Sequence, residues 1–513
     1  SSGAEIWALP VADPAGTAAT RIFTFAPAPM FSGGAWVVGS GSALTQATDC
    51  TIDLGGQVVT FSAASGTTWA NLAAAAHAAL TAYGSDLVYS SAVNSATVTI
   101  TDKHASAITD DLPIRVSFSN PNCGGAVSMG TLTLATDASG AGAVVLSDGV
   151  TSASDTIANS DTVTTTAGQL AAAVNAGMGY RAATDAGNAG VVTLYYLPDR
   201  YARRLSVSVT GTPGTTASLA AGTAGSGTPS LTAALAYLAG QPTAYRAWAL
   251  AQADATALGA VAASVIAEDA TDEKGQMVFA AISTALPATS LIGATTPALS
   301  TTELTVVLHA QAATVPAAQI AARVAVQVAS EGEGDQGRNF NGLPLTPSES
   351  MPLAAAHRSD RSAKDSWNAG IAAGYAPVKC DDQGRWSVVY ARTTWGSSDP
   401  TAQKLRKWSG ALLPMYFRAD LRSHLTKVFF QPGQGRSLKA IGKPHTNRGV
   451  DEAGVRSEVL SRVKLWDNAD YFDGLAGVNS AMQVSVTGGR VKVYVPFRSV
   501  ADFDRLDVIG TPA

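Results

Sequence analysis

The side chains able to do chemistry are few and far apart. Six histidines (His77, His104, His309, His357, His424 and His445) show no spacing that would bring two imidazoles to one metal ion. Cys50, Cys123 and Cys380 form no CxxC pair and read as buried or incidental thiols. Gly332, Gly334 and Gly337 make a GxGxxG string, the pattern of a dinucleotide-binding turn. That string follows a helical pattern instead of a strand, and Glu331, Glu333 and Asp335 would repel a pyrophosphate. A loop is the better reading. Carboxylates are paired at Asp110–Asp111, Asp381–Asp382 and Asp451–Glu452, each at an expected turn or helix start, where acids meet backbone N–H groups. P-loop, GxSxG and HExxH motifs are absent from the sequence. The expectation is a non-enzyme with no cofactor and no metal.

Basic residues are a different matter. Lys404, Arg406, Lys407, Arg418, Arg422 and Lys427 alternate with Trp408, Tyr416 and Phe417. A nucleic-acid groove would read this way. So would a surface for an acidic protein partner, since acids are interspersed. Residues 1–330 hold 10 Lys+Arg against 20 Asp+Glu, whereas residues 331–513 hold 24 against 19. An acidic front is joined to a basic back, which implies two surfaces facing two environments.

The 513 residues suggest three or four domains. Only 14% are charged and 46% are apolar, enough to bury cores and to exclude disorder. The uncharged run Leu205–Tyr245 is too interrupted by Gly, Ser, Thr and Pro to span a bilayer, and no secretory signal pattern opens the chain.

The front reads as short antiparallel strands at Glu5–Val11, Arg21–Phe25, Ala35–Val38, Gln57–Phe61, Thr97–Thr101, Ile114–Phe118, Val191–Tyr196 and Leu205–Val209. Two Ala-rich helices interrupt them, Thr68–Ala82 and Thr166–Met178, each opening on a threonine N-cap. The strand patterns after the two helices are alike, so the front looks duplicated: about Ser42–Phe118 and about Ala143–Val209 are expected to superpose. Thr216–Ser230 reads as a linker.

Strands Tyr245–Ala251, Gln276–Ile282 and Glu303–His309 then alternate with helices Leu231–Leu238, Asp254–Glu268 and Pro316–Ser330, which predicts a mostly parallel α/β sheet. A loop is expected over Glu331–Pro352, the second arm of a hairpin over Trp386–Arg392, and helices over Asp399–Lys427 and Val450–Trp466. Met482–Thr487 and Val491–Pro496 flank Gly488–Gly489 as a hairpin.

Four stretches resemble a known family in order along the chain. They are GAEIWALPVADPAGTAATRIFTF, the LAAAAHAAL…ATVTITDKH unit, DQGRNFNGLPLTP, and SAKDSWNAGIAAGYAPVKCDDQGRWSVVYARTTW. Together they resemble the tail sheath protein of contractile-tailed phages, of the Mu-like kind. The resemblance implies an α+β multidomain fold: an inner α/β sheath core and a C-terminal α+β domain, with inserted antiparallel β-rich outer modules containing Ala-rich helices. Its divisions would be 1–33 (ingoing strand of the core, and linker), 34–135 and 136–215 (outer modules), 216–350 (α/β core) and 351–513 (tube-facing domain).

It also implies self-association into hexameric rings and a helical sheath. The partners would be a tail tube protein, baseplate and tail terminator proteins, with neither nucleic acid nor direct membrane insertion. The place would be the tail of a virion assembled in the host bacterial cytoplasm. Relative to the family, the chain is expected to lack one or both terminal arms and hence to be soluble and mainly monomeric. Arg456, Arg462 and Lys464 on the Val450–Trp466 helix, with Arg418 and Arg422 on the longer one, are the candidate tube contacts. Arg456 and Lys464 are expected to share a solvent face. A surface-displayed β-rich adhesin or carbohydrate-binding module array is the alternative.

Overall fold

The computed structural model describes residues 11, 16–83, 89–103, 113–198, 201–227, 229–241, 247–251, 253–272, 275–284, 286, 291–295, 298–310, 313, 315–334, 337–345, 364–380, 386–396, 403–429, 437–438, 449–471, 475–487 and 490–496. The Glu5–Val11 strand, apart from its last residue, and the Asp399 helix start lie outside the described residues.

Along the front run β1 (Thr20–Pro27), β2 (Met30–Ser32), β3 (Ala35–Val37), β4 (Thr48–Leu54), β5 (Gln57–Ala63), α1 (Trp69–Ala82), β6 (Tyr89–Asn94), β7 (Thr97–Asp102) and β8 (Ile114–Phe118). Then come β9 (Gly125–Leu134), β10 (Gly142–Ser147), β11 (Ser152–Ile157), α2 (Val163–Gly177), β12 (Arg181–Thr184), β13 (Val191–Tyr195), β14 (Ser206–Gly211) and β15 (Ala217–Ala220).

The order β4-β5-α1-β6-β7-β8 recurs as β10-β11-α2-β12-β13-β14. The last strand returns beside the first in both, giving three-stranded sheets β5-β4-β8 and β11-β10-β14. Buried helix positions also correspond: Leu72, Ala73, Ala76 and Leu80 match Leu170, Ala171, Val174 and Met178. Alanine at these places costs no side-chain entropy and lets each helix lie close to its sheet. The N-caps differ. Thr68 caps α1, but α2 begins a turn earlier, capped by Thr162, and Thr166 is buried inside the helix.

The two units are not separate. A nine-stranded sheet runs β2-β3-β12-β13-β9-β1-β7-β6, with β15 also on β9. On one edge of β9 lies β13; on the other, β1 pairs with Gly125–Ser128 and β15 with Thr131–Leu134. Two findings correct the sequence reading. The Thr216–Ser230 segment contains β15 rather than being only a linker, and Thr20–Pro27 is a central strand of the nine-stranded sheet. Phe23 and Phe25 of β1 are fully buried among Ile52, Leu72 and Val98. Side chains of this size contribute about 1.5–3 kcal/mol each when buried.

The chain enters and leaves this front unit at one place. Thr20 N–H donates to the Thr223 carbonyl at 2.9 Å and Ser226 N–H to the Thr17 carbonyl at 2.9 Å, so the ingoing and outgoing segments pair. Gly222 makes the approach possible: its φ is +108°, and a Cβ there would lie 2.1 Å from the Thr20 carbonyl oxygen. Gly222→Ala is therefore expected to cost about 2 kcal/mol or more. Urea unfolding with an unchanged midpoint would show that this pairing is not held.

A short segment fastens the front unit to the rest of the chain. Tyr201 donates to Asp53 Oδ2 at 2.6 Å, Ala202 bridges to Ile114, and Arg203 donates to Ser283 Oγ at 2.9 Å and to the Ala313 carbonyl. Arg203 is only 6% exposed. Beside it Tyr180 donates to Asp148 Oδ2 at 2.5 Å; burial, then the Asp148 charge, push the Tyr180 hydroxyl up, so it stays a neutral donor. Asp53 and Asp148 hold equivalent turns: Gly56 N–H donates to the first, and the N–H groups of Val150 and Thr151 to the second.

The remaining elements are α3 (Thr232–Ala239), β16 (Ala247–Ala249), α4 (Ala255–Asp272), β17 (Met277–Ile282), α5 (Leu291–Ala294), β18 (Thr305–His309), α6 (Ala317–Gly334), β19 (Pro344–Leu345), α7 (Lys364–Ala372), β20 (Ala376–Cys380) and β21 (Trp386–Val388). After them come α8 (Trp408–Phe429), β22 (Ser437–Leu438), β23 (Gly449–Val450), α9 (Glu452–Asn468), α10 (Leu475–Ala481), β24 (Gln483–Thr487) and β25 (Arg490–Tyr494).

The sheet β16-β17-β18-β20-β21-β19 is parallel through β20 and antiparallel beyond it. Phe279 and Val306 pack with Val324 of α6; Ala280 and Val307 pack with Leu258 and Ala262 of α4. Asp254 caps α4 through the Ala257 N–H at 2.9 Å. Helix α6 runs on to Gly334, so the expected loop at Glu331 starts later and the first two glycines of the GxGxxG string end a helix. The architecture is α+β and multidomain.

Candidate interaction surface

The basic third is organised by α8, which passes through two hydrophobic cores. Trp408 is fully buried in the α/β core, edge-on to Phe279 at 5.4 Å, and its Nε1 donates to the Arg392 carbonyl at 2.9 Å. Further along, Leu413 and Phe417 belong to the second core, with α9 and the β24–β25 hairpin. In α9, Val455, Val459, Val463 and Trp466 fall every three or four residues and form the buried stripe. Trp466 stacks on Phe417 at 4.3 Å. The helix opens at Asp451, whose Oδ1 accepts from the Gly454 N–H at 2.8 Å, so this paired carboxylate is a cap.

Arg418, Arg456 and Arg462, three of the candidate contact residues, make hydrogen bonds that can be traced inside the molecule. Arg456 donates to the Asn479 and Met482 carbonyls, both at 2.9 Å, and so ties α9 to the end of α10 and the start of β24. Arg462 grips Asp420 of α8 with Nε at 2.6 Å and with Nη2, while Trp466 Nε1 donates to the same carboxylate at 2.8 Å. Arg418 forms a bidentate pair with Asp269 of α4 at 2.7 and 3.0 Å.

Burial alone would raise the Asp420 carboxyl. Hydrogen bonds from Arg462 and Trp466 and the Arg462 charge outweigh it and hold the group below the usual aspartate range. Lys464 and Arg422 are exposed. The Arg456 guanidinium, half-buried, is spent on backbone carbonyls, while Lys464 is exposed.

The sequence reading passed over the exposed apolar residues here. Leu465, beside Lys464, is 52% exposed, and Tyr494 on β25 is 61% exposed. Leu465 lies outside the 455–459–463–466 stripe, a signal the spacing does carry. Across the hairpin, Val484 faces Val493 and Val486 faces Val491. Val484 is buried in the second core, and neither outer edge has a strand partner among the described residues.

Other chemistry-bearing groups serve structure. His309 ends β18, the side of a parallel sheet where α/β enzymes place reactive groups. Its Nε2 donates to the Thr284 carbonyl at 3.2 Å, and burial pushes the ring toward the neutral form. Cys50 and Cys123 are buried free thiols. Among the described residues no group of three or more His, Cys, Asp or Glu could hold a metal, and no helix is long and apolar enough to cross a membrane.

No protein-family model and no curated protein matches the chain. Among solved structures it is similar to a sheath tail protein from Desulfitobacterium hafniense, at 13% identity over 73% of this chain and 82% of that one, with a TM-score of 0.37. A sheath tail protein from Listeria innocua is similar at 13% identity, over 72% and 81% of the two chains, with a TM-score of 0.37. A chain of the anti-feeding prophage baseplate matches at 14% identity, over 50% and 64%, with a TM-score of 0.34.

Proposed function

We propose that this protein is a structural subunit of a contractile tail sheath. It polymerises as stacked hexameric rings around a tail tube and contracts to drive the tube through the host envelope. The observation that carries the reading is an arrangement suited to a lattice. Two β-rich repeats hang from one paired crossing of the chain beside an α/β unit, and the C-terminal part carries a small hairpin whose edges have no strand partner among the described residues. Strands added by neighbouring subunits to β24 and β25 would link rings while subunits turn, with main-chain hydrogen bonds supplying the affinity. Of the four sequence stretches that resemble Mu-like sheath proteins, the described parts of the first two lie in the front unit and those of the last two in the α/β unit.

In this reading residues 34–135 and 136–215, with β1 and β15 completing their shared sheet, are the outer modules, the rest of 216–350 is the core and 351–513 the tube-facing domain. Partners are further copies of the chain, tail tube protein, baseplate and tail terminator proteins, and the place is the phage tail. Lys464 and Arg422 are the exposed members of the candidate tube contact, with the exposed Leu465 next to Lys464. Arg418, Arg456 and Arg462 hold the layer that presents them. Negative-stain microscopy of the protein made from its complete reading frame should show hollow tubes or stacked rings, alone or with tube protein. Single particles only, at every concentration and with tube protein present, would overturn the proposal.

A further inference from the structure

The most exposed large apolar side chain among the described residues is Phe31, at 63%, and Met30 beside it is 50% exposed. Both lie on β2, an edge strand of the nine-stranded sheet whose one strand partner among the described residues is β3. Phe31 stands opposite Trp36 of β3 and meets it edge-on at 5.4 Å. The hairpin turns through Gly33 and Gly34, with φ of +62° and +85°, a two-residue turn that matches strand twist and fixes the pair in place. From β12, Arg181 lays its guanidinium over the Trp36 ring, 3.8 Å from the centroid. No carboxylate pairs with Arg181 among the described residues. Aromatic rings and an arginine held rigidly at a surface are the components of an interface hot spot.

The same front unit carries the opposite imbalance on β11, an edge strand paired with β10 alone among the described residues. Burial, then the charge of nearby Asp161, push the Asp155 carboxyl of β11 up. Asp161 accepts from the Ala158 N–H at 2.7 Å, and so is spent on the backbone. The donors to Asp155 are neutral: the Thr156 N–H, and the Gln169 amide at 3.2 and 3.3 Å. Neither acid is in an ion pair among the described residues. Ser154 and Thr156, which flank Asp155 and point to the other face of the strand, are small and exposed. Every copy of the chain therefore carries an arginine without an acid and an acidic edge without a cation.

We propose that the Phe31–Trp36–Arg181 face docks on the β11 edge of a second copy of this chain. Phe31 and Arg181 lie on either side of Trp36 and straddle the incoming strand: Arg181 meets Asp155 on one face, and Phe31 covers Ser154 and Thr156 on the other. The two surfaces belong to different parts of the chain. The contact is therefore heterologous and passes from copy to copy, where an isologous one would close a symmetric pair. It joins the outer repeats of neighbours and goes beyond the tail-sheath reading, in which the links between subunits run through β24 and β25.

The test is small-angle scattering of the whole chain at low salt, over about 0.05–1 mM, the range of a small interface. Growth beyond the dimer at the upper end is expected, and it should weaken as salt rises. Arg181→Glu or Asp155→Arg alone should weaken association at least about tenfold. Phe31→Ser changes an exposed side chain and should weaken it without moving the melting temperature. An equimolar mixture of the two charge variants keeps one sound pairing for every two chains, so it should stop at the dimer. The double variant, with both charges reversed, should associate again, which also shows that neither substitution acts by unfolding. A parent that stays monomeric throughout, single variants that associate like the parent, a mixture that stays monomeric, or a double variant that does not recover would each overturn the proposal. The readout needs neither tubes nor tube protein, so it stands or falls separately from the sheath role.

Discussion

Replacing Arg203 with alanine is expected to cost about 3 kcal/mol and to loosen the front unit from the α/β core. Its guanidinium is buried, and truncation leaves the Ala313 carbonyl and the Ser283 hydroxyl short of a donor in a place water does not readily reach. The neighbouring Asp148–Tyr180 pair loses a nearby cation as well. Small-angle scattering should show a larger radius of gyration for the variant, and hydrogen exchange should rise around 201–205 and 283–284 before it rises in β17 or β18. An unchanged melting curve with an unchanged scattering profile would mean that apolar contact alone holds the two parts together.

Asp420→Ala is expected to be the most damaging change in the basic third, at about 2–3 kcal/mol, because it strands the Arg462 charge and the Trp466 N–H together. The pH dependence has a definite sign. The folded-state carboxyl lies below its unfolded value, so its contribution is fully present above the ordinary aspartate range near about pH 4 and is lost as pH falls through the folded value. The gap between parent and variant stability should therefore be constant near neutral pH and shrink in acid. Equal gaps at pH 7 and pH 2.5 in urea titrations would show that packing, not the ion pair, is responsible.

How far the sequence carried depended on whether a feature was local. Asp254 and Thr68 announced helix starts, Gly488–Gly489 announced the hairpin, and β-branched runs at Gln276–Ile282 and Glu303–His309 announced a parallel sheet. These rest on neighbours a few residues away. Strand β9 was missed: its GAVSMGTLTL stretch changes the phase of its apolar alternation at Gly130, between Met129 and Leu132, and serves two cores, Val127 in one and Met129, Leu132 and Leu134 in the other. The fate of the arginines was equally unreadable. Arg418 finds Asp269 across 149 residues and Arg462 finds Asp420 across 42, so a charged residue on a helix face gave no sign that its partner was already in the same molecule.

The paired crossing at Thr17–Ser226 has a consequence for how such a chain can change over generations. Two ends held one hydrogen bond apart present the rest of the protein with the geometry of a short turn, whatever hangs beyond them. Closing that gap carries the entropic cost of a small loop once the outer part has folded, and the cost grows only with the logarithm of length in any case. An ancestor could therefore have gained the first repeat, copied it, and let the copies diverge, with only the Ser283 and Ala313 partners of Arg203 having to adjust. For the same reason a foreign domain whose termini lie close together could be grafted in place of residues 20–223, provided that another donor meets Ser283 and Ala313.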